Sequence, residues 1–287
     1  MGHLEALQKV ADESGGNRAA GTPGYEASAR YVEDQLRAAG YNPVRQVFTY
    51  REGRRDGNRE SFNILADTAG SADHTIVVGA HLDSVREGPG INDNASGVAT
   101  LIETARWMAE TGVGPKNRVR FAFWGAEEVD LTGSQHYVDE LSKSEISQTA
   151  VNINIDMAAS INGVRFVHDG DGSTFGDAGP AGSSGLESIL MDYFAKNSLP
   201  AEPTGFIGDS DYDAFLEAGI ATGGLFAGDV GTKTSDQVQK FGGTLNRDHD
   251  PCYHEACDTI QNIDPELLND MAGAMAYTTL AFAMTQM

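Results

Sequence analysis

The sequence predicts a single α/β domain over residues 1–287, built on a mixed, mostly parallel central sheet of about eight strands with helices on both faces. Three observations predict it. Short apolar runs of strand character alternate with longer stretches of helical period along most of the chain. No Pro/Ser-rich linker, internal repeat or block of like charge divides it. The 287 residues, 40% of them hydrophobic, are enough to bury one large core.

Taken in order, residues 25–39 form the first helical pattern, with Tyr31, Val32, Leu36 and Ala39 on one face and Gly40 as its stop. Strand runs follow at 46–50, 62–66 and 75–80. A helical pattern over 95–111 leads to the strand 119–124 and the helix 132–141. The runs 150–155, 164–167 and 221–226 read as strands, and 184–196 and 265–284 as helices. Glycines are numerous, 34 in all, and fall in short runs such as Gly15-Gly16, Gly223-Gly224 and Gly242-Gly243 without a triplet period. That pattern belongs to tight loops and excludes a collagen-like chain.

The formal net charge is −22, from 42 acidic and 20 basic residues. Such a surface repels phosphate backbones and anionic headgroups, so neither nucleic acid nor a membrane is expected as a partner. No apolar run reaches membrane-spanning length. Only six basic residues are Lys, a balance suited either to high salt or to an acidic protein from a GC-rich genome. Cys252 and Cys257 are close enough to pair as a disulfide in an oxidising compartment. A zinc-thiolate pair is the alternative, but no second pair completes such a site. The opening Met1-Gly2-His3 has neither a basic nor an apolar segment, as expected of a mature secreted form lacking its leader.

In open α/β sheets, sites lie beyond the C-terminal ends of the strands. The run 75–80 is followed by His81-Leu82-Asp83, the run 119–124 by Gly125-Ala126-Glu127-Glu128, and the run 150–155 by Asp156. A loop Gly90-Ile91-Asn92-Asp93-Asn94 precedes a helix, and Asp250-Pro251-Cys252-Tyr253-His254 offers a second His beside the cysteines. Singly, each has a plain structural reading: a solvated turn for the Glu pair, a helix cap for Asp93, a turn for Asp156. Together they form the donor set of a hydrolytic zinc site, nitrogens and carboxylates with room for water. The expected ligands are His81, Asp93, Glu128, Asp156 and His254. Five ligands on two metals require one shared group, for which the loop carboxylate Asp93 is the choice. Glu127, adjacent to Glu128, stays free as general base.

At these residues the chain resembles the co-catalytic zinc aminopeptidases. The matching stretches are Gly15-Gly16-Asn17-Arg18-Ala19, Gly79-Ala80-His81-Leu82-Asp83-Ser84-Val85, Gly90-Ile91-Asn92-Asp93-Asn94, Trp124-Gly125-Ala126-Glu127-Glu128, Asp156-Met157, Gly223-Gly224-Leu225-Phe226 and Asp250-Pro251-Cys252-Tyr253-His254. They span nearly the whole chain in the family's order. The resemblance implies two Zn2+ per chain, His81 and Asp156 on one, Glu128 and His254 on the other, and Asp93 between. It implies that Asp83 orients His81, that Glu127 deprotonates the water bridging the two zincs, and that Tyr253 donates to the developing oxyanion. Met157 and Phe226 would line a pocket for a large hydrophobic first residue such as Leu, Met or Phe. The substrates implied are peptides with a free N-terminal amine, the location extracellular, and the chain a monomer.

The chain also departs from the family. Gly208-Asp209-Ser210-Asp211-Tyr212 stands where close relatives have Gly-Arg-Ser-Asp-His, so Asp209 would repel the carboxylate of a dipeptide or free-acid product. His168 stands where relatives place a pocket Tyr. Asn269 and Gly273 replace calcium-binding acids near the C-terminus, so calcium is not expected there. The chain begins inside what would be the relatives' first helix. Among rival functions, a carboxypeptidase needs a cation for the substrate carboxylate, which the loss of Arg at 209 and the absence of a dimerisation domain disfavour. A glutaminyl cyclase uses one zinc and has no need of His81. A non-catalytic binding module would have lost ligands or base, and here all are present.

Overall fold

In the computed structural model, residues 1–53 and 57–286 are described. Eight strands form one sheet: β1 (Val44–Tyr50), β2 (Arg59–Asp67), β3 (Ser71–His81), β4 (Asn117–Trp124), β5 (Thr149–Asp156), β6 (Phe166–His168), β7 (Glu202–Thr204) and β8 (Thr222–Phe226). Their spatial order is β1-β2-β4-β3-β5-β8-β6-β7. The middle four, β4, β3, β5 and β8, run parallel; β2 joins β4 and β6 joins β8 antiparallel. The described helices are α1 (Gly2–Glu13), α2 (Pro23–Ala38), α3 (Ser96–Glu110), α4 (Thr132–Asp139), α5 (Lys143–Gln148), α6 (Ser183–Lys196), α7 (Tyr212–Glu217), α8 (Ser235–Phe241) and α9 (Pro265–Met284).

The central strands are buried on both faces, and their alternating side chains sort into two cores. Ile76, Val78 and Ala80 of β3, Phe121 and Phe123 of β4, and Ile153 and Ile155 of β5 join one cluster. Leu4 and Leu7 of α1, Val32 and Leu36 of α2, Leu101 and Ile102 of α3, Leu190 and Phe194 of α6, and Met271 and Met275 of α9 close it. Val77, Ala122 and Trp124 point the other way, onto Tyr137 of α4 and Phe215 of α7. Each such buried side chain contributes roughly 1.5–3 kcal/mol of transfer free energy, so it is the sheet that fixes where its strand ends lie.

The predicted elements occur with shifted ends. α2 starts at Pro23, because Thr22 accepts the N–H of Tyr25 and Pro23 suits the first turn. α9 starts where expected, on Asp264, whose side chain accepts from Glu266 and Leu267. The strand expected at 164–167 is instead Phe166–His168, a three-residue piece between β8 and β7. The helix expected to reach residue 141 ends at Asp139. α1 stands where the resemblance put a first helix, whereas α5, α7, α8 and β7 were not anticipated. α5 and α8 each begin with a complete capping box, Ser142/Glu145 and Thr234/Gln237, but are six and seven residues long, too short to show a period.

Candidate metal centre

The parallel strands carry the site residues to one edge of the sheet. His81 is the last residue of β3 and Asp156 the last of β5. Glu127 and Glu128 follow β4 after a turn in which Ala126 takes a left-handed φ of +56°. Met157, at +45°, and His254, at +58°, share that uncommon backbone region. Three non-glycine residues so placed at one site mark backbone held by its surroundings.

Asp93 sits in a tight turn over Ile91–Ala95, just before α3, between two asparagines that secure it. Asn92 donates to Asp250 (2.6 Å) and Ser160 (3.0 Å) and accepts from Ala159 (3.0 Å). Asn94 donates to the carbonyl of Ile155 (3.0 Å) and accepts from Gly97 (2.9 Å). Asp258 accepts the main-chain N–H of Asn92 at 2.9 Å and of Asp93 at 3.0 Å. Gly90 is required here: its φ is +63°, and a Cβ would meet the carbonyl of Asp93 at 2.3 Å. Behind the loop, the fully buried Arg18 donates to the carbonyls of Pro89 (2.8 Å), Gly90 (2.6 Å) and Leu82. Arg18, Gly90, Asn92, Asn94 and Asp250 fell in stretches singled out in the sequence, though without these roles; Asp258 carried no local signal.

The five expected ligands converge. Oδ1 of Asp93 lies 3.1 Å from Nε2 of His81, which is 3.2 Å from Oδ1 of Asp156. Oδ2 of Asp93 lies 3.3 Å from Nε2 of His254, which is 3.0 Å from Oε2 of Glu128. Asp93 thus turns one oxygen to each of two His–carboxylate pairs. Donors about 2.0–2.1 Å from a tetrahedral zinc stand about 3.3 Å apart, and the His–carboxylate distances in the two triplets, 3.1 and 3.2 Å in one and 3.3 and 3.0 Å in the other, match that spacing. Glu127 belongs to neither triplet but borders the first: its Oε2 is 3.9 Å from Nε2 of His81, and its carboxylate falls within 4.8 Å of donor atoms of both His81 and Asp156.

The electrostatics point the same way. Burial opposes protonation of His254, but hydrogen bonds to Asp93 and Glu128 push it up to about 10. His81 is likewise raised against its burial by Glu127 and Asp156. Burial pushes Glu128 up to about 7, the charge of Asp93 adding to it, and leaves its Oε1 without a donor. Burial also drives Glu127 well above the ordinary carboxylate range. Four carboxylates crowded around two imidazoles, with an orphaned buried oxygen, form a donor set that fits two cations.

Asp83 meets His81 through its main chain rather than its carboxylate. Its carboxylate is 3.9 Å from Nδ1 of His81, too far for a hydrogen bond; its main-chain carbonyl accepts from Nδ1 at 3.1 Å. This fixes the proton on Nδ1 and leaves Nε2 as the lone-pair nitrogen facing Asp93 and Asp156. Ser210, named in the sequence only within the stretch 208–212 and given no role, donates to Oδ2 of Asp156 at 2.6 Å. Asp211, of the same stretch and likewise given no role, is fully buried near the site, and burial raises it to about 8.

A cleft opens over these groups, and Met157, His168, Asp209, Phe226 and Tyr253 all line it. Phe226 stacks on Phe166, and His168 on Phe206, with centroids 6.2 and 5.2 Å apart. Tyr253 stacks on His254 at 3.8 Å. Cys252 and Cys257 are joined as a disulfide, with Cα atoms 5.3 Å apart, in the same loop as His254.

Residues 63–279 match the model of Peptidase family M28. The chain belongs to peptidase family M28. Among curated relatives, an aminopeptidase of Pseudomonas aeruginosa is 47% identical over 221 residues, which are 77% of this chain and 41% of that protein. Leupeptin-inactivating enzyme 1 of Streptomyces exfoliatus is 39% identical over 277 residues, 96% of this chain and 59% of that one. The M28 chain therefore spans about two fifths to three fifths of the length of these relatives. BSAP, a zinc aminopeptidase from Bacillus subtilis, shares the fold with a TM-score of 0.78 at 18% identity, covering 99% of this chain and 95% of that one.

Proposed function

We propose that this M28 chain is an aminopeptidase that uses two zinc ions to hydrolyse the first peptide bond of peptides and proteins, preferring large hydrophobic first residues. The single observation that carries it is the split carboxylate of Asp93, one oxygen toward His81 and Asp156 and the other toward His254 and Glu128. His81, Asp156 and Asp93 would hold one zinc, Glu128, His254 and Asp93 the other. Bound there, zinc supplies a nucleophilic water at neutral pH and polarises the scissile carbonyl.

The chain's own groups supply the proton chemistry and the fit. Glu127, free of both ligand triplets, takes the proton of the attacking water and passes it to the leaving amine. Tyr253 donates its phenolic hydrogen to the developing oxyanion. The substrate's ammonium is drawn in by Glu127, Asp156, Asp209 and Asp229, which line the cleft. Met157, Phe226 and His168 receive the first side chain. Relatives named aminopeptidase and leucine aminopeptidase support this choice of bond and side chain.

Among the described residues no Lys or Arg lines the cleft. A carboxypeptidase would have nothing there to grip a terminal carboxylate. The disulfide suits an oxidising, extracellular setting, and no helix among the described residues is long and apolar enough to cross a membrane. We take the chain to act as a monomer.

Leu- and Phe-p-nitroanilide, each beside its N-acetylated form, test the reading. The free amines are expected to be cleaved and the acetylated ones left intact. Equal cleavage of both, or release of C-terminal residues from peptides, would overturn it.

A further inference from the structure

Away from the cleft ligands, a second group of acids lies at the far side of β6. A carboxylate oxygen of each of Asp169, Asp171 and Glu187 lies within 4.8 Å of the other two. Asp169 and Asp171 belong to the loop that leaves β6, and Glu187 projects from α6. Asp169 is fully buried. Its Oδ2 accepts two main-chain N–H groups, from Thr174 at 2.9 Å and Phe175 at 2.7 Å, which anchors the carboxylate. Its Oδ1 is also buried and has no donor at all. A buried carboxylate oxygen without a partner costs about 1–3 kcal/mol or more, a cost that a bound cation would offset.

The neighbours make the demand for a cation sharper. Asp171 and Glu187 are the nearest charges and both are negative. Burial, and then the charges of Asp171 and Asp169, push the Glu187 carboxyl up, although it accepts the N–H of Asp171 at 3.1 Å. No ion pair reaches any of the three acids among the described residues, and no cation is among the charges that act on Glu187.

We infer that Asp169, Asp171 and Glu187 form a calcium site, separate from the proposed zinc centre and independent of the function read from it. The donors are all hard oxygens with no His or Cys, which selects against zinc. Calcium takes six to eight oxygens in a flexible shell, whereas magnesium demands a near-ideal octahedron and keeps several waters, so three carboxylates from a loop and a helix suit calcium better. The sequence Asp169-Gly170-Asp171-Gly172 alternates acids with glycines, so the chain can fold back and bring both carboxylates to one point. Gly172 takes a φ of +69°, and a Cβ on Gly170 would meet the carbonyl of Ser183 at 2.3 Å.

The site borders the cleft. Asp169 follows His168, and Phe175, at the end of the anchored loop, packs against Gly205, which lines the cleft with His168. Calcium here would stiffen that wall from outside.

The test uses the zinc-loaded chain in calcium-free buffer containing zinc, titrated with CaCl2 by calorimetry and followed by thermal melts, with MgCl2 in parallel. The expected result is one calcium per chain with a Kd of about 10⁻⁴–10⁻³ M and a Tm higher by about 2–5 °C at saturation. Asp171→Asn and Glu187→Gln should each abolish the response. Without calcium these variants should melt at or above the parent, since each removes one of three crowded charges. The inference is overturned by an absence of saturable heat, by a calcium response that survives both substitutions, or by magnesium binding as tightly as calcium. Variants that melt lower by the same amount with and without calcium would also overturn it, because the acids would then serve only the loop's own hydrogen bonds.

Discussion

The main-chain N–H of Glu127 donates to Oδ1 of Asp83 at 3.1 Å, while the carbonyl of the same Asp83 accepts from Nδ1 of His81 at 3.1 Å. One residue therefore holds the proposed base with its side chain and a proposed ligand with its main chain. Asp83→Ala removes only the first contact. It is expected to lower kcat/KM about 10–100-fold while zinc content stays that of the parent. A loss of zinc matching the loss of activity would show that the carboxylate serves the metal after all.

Glu127 and Tyr253 are assigned to different protons, and their variants should differ accordingly. Glu127→Gln is expected to lower kcat by about 10²–10⁴-fold with both zincs retained. Tyr253→Phe keeps the ring that stacks on His254 and should lower kcat by about 10²-fold with KM near that of the parent. Steady-state kinetics on Leu-p-nitroanilide separate the two. Parent-like kcat in either variant removes that residue from the chemistry.

Asp209 places a negative charge on the cleft wall, where its Oδ1 accepts from the hydroxyl of Tyr212. A free dipeptide would bring its carboxylate near this charge. Asp209→Arg should therefore improve kcat/KM for Leu-Leu relative to Leu-Leu-amide by about 10-fold or more, the equivalent of about 1.4 kcal/mol. Asp209→Asn should give a smaller change of the same sign. An unchanged ratio in both would mean that the cleft beyond the scissile bond does not sense this residue.

His168 offers a pH-dependent check on the pocket. Burial lowers it to about 4, with a hydrogen bond to the main chain of Gly224 and the charge of Asp156 opposing the shift. Unfolded, it titrates near 6.5. Between these values the unfolded chain binds the extra proton, so stability is present above about pH 6.5 and is lost as pH falls toward 4. His168→Phe, which keeps a ring against Phe206, should gain up to about 3 kcal/mol relative to the parent between pH 7 and pH 4. Urea unfolding of both proteins across that range measures it. A pH-independent difference would mean that His168 is not buried in its neutral form.

The sheet was legible because its central strands are continuous apolar runs, and because His81, the Glu127-Glu128 pair and Asp156 each stand where such a run stops. Asp93 and His254 were legible as motif positions, though nothing in their spacing shows that they face each other across 3.3 Å. The orienting contacts were not legible. Asp258 meets the Asp93 loop from 165 residues away, and Ser210 reaches Asp156 from 54, pairings that only the folded chain creates. The exchange of roles at Asp83 was hidden for another reason: a sequence shows a side chain, whereas the contact to His81 is made by a carbonyl that every residue carries. Short elements such as α7 and β7 have six and three residues, too few for a period to emerge.

Zinc counted per chain in the parent and in His254→Ala, by elemental analysis on protein freed of loosely held metal, tests the division of Asp93 between two centres most directly. Two zincs in the parent and about one in the variant are predicted, because His81, Asp156 and one oxygen of Asp93 remain together when the other pair is broken. A single zinc in the parent, or two in a variant lacking His254, would contradict the two-centre account.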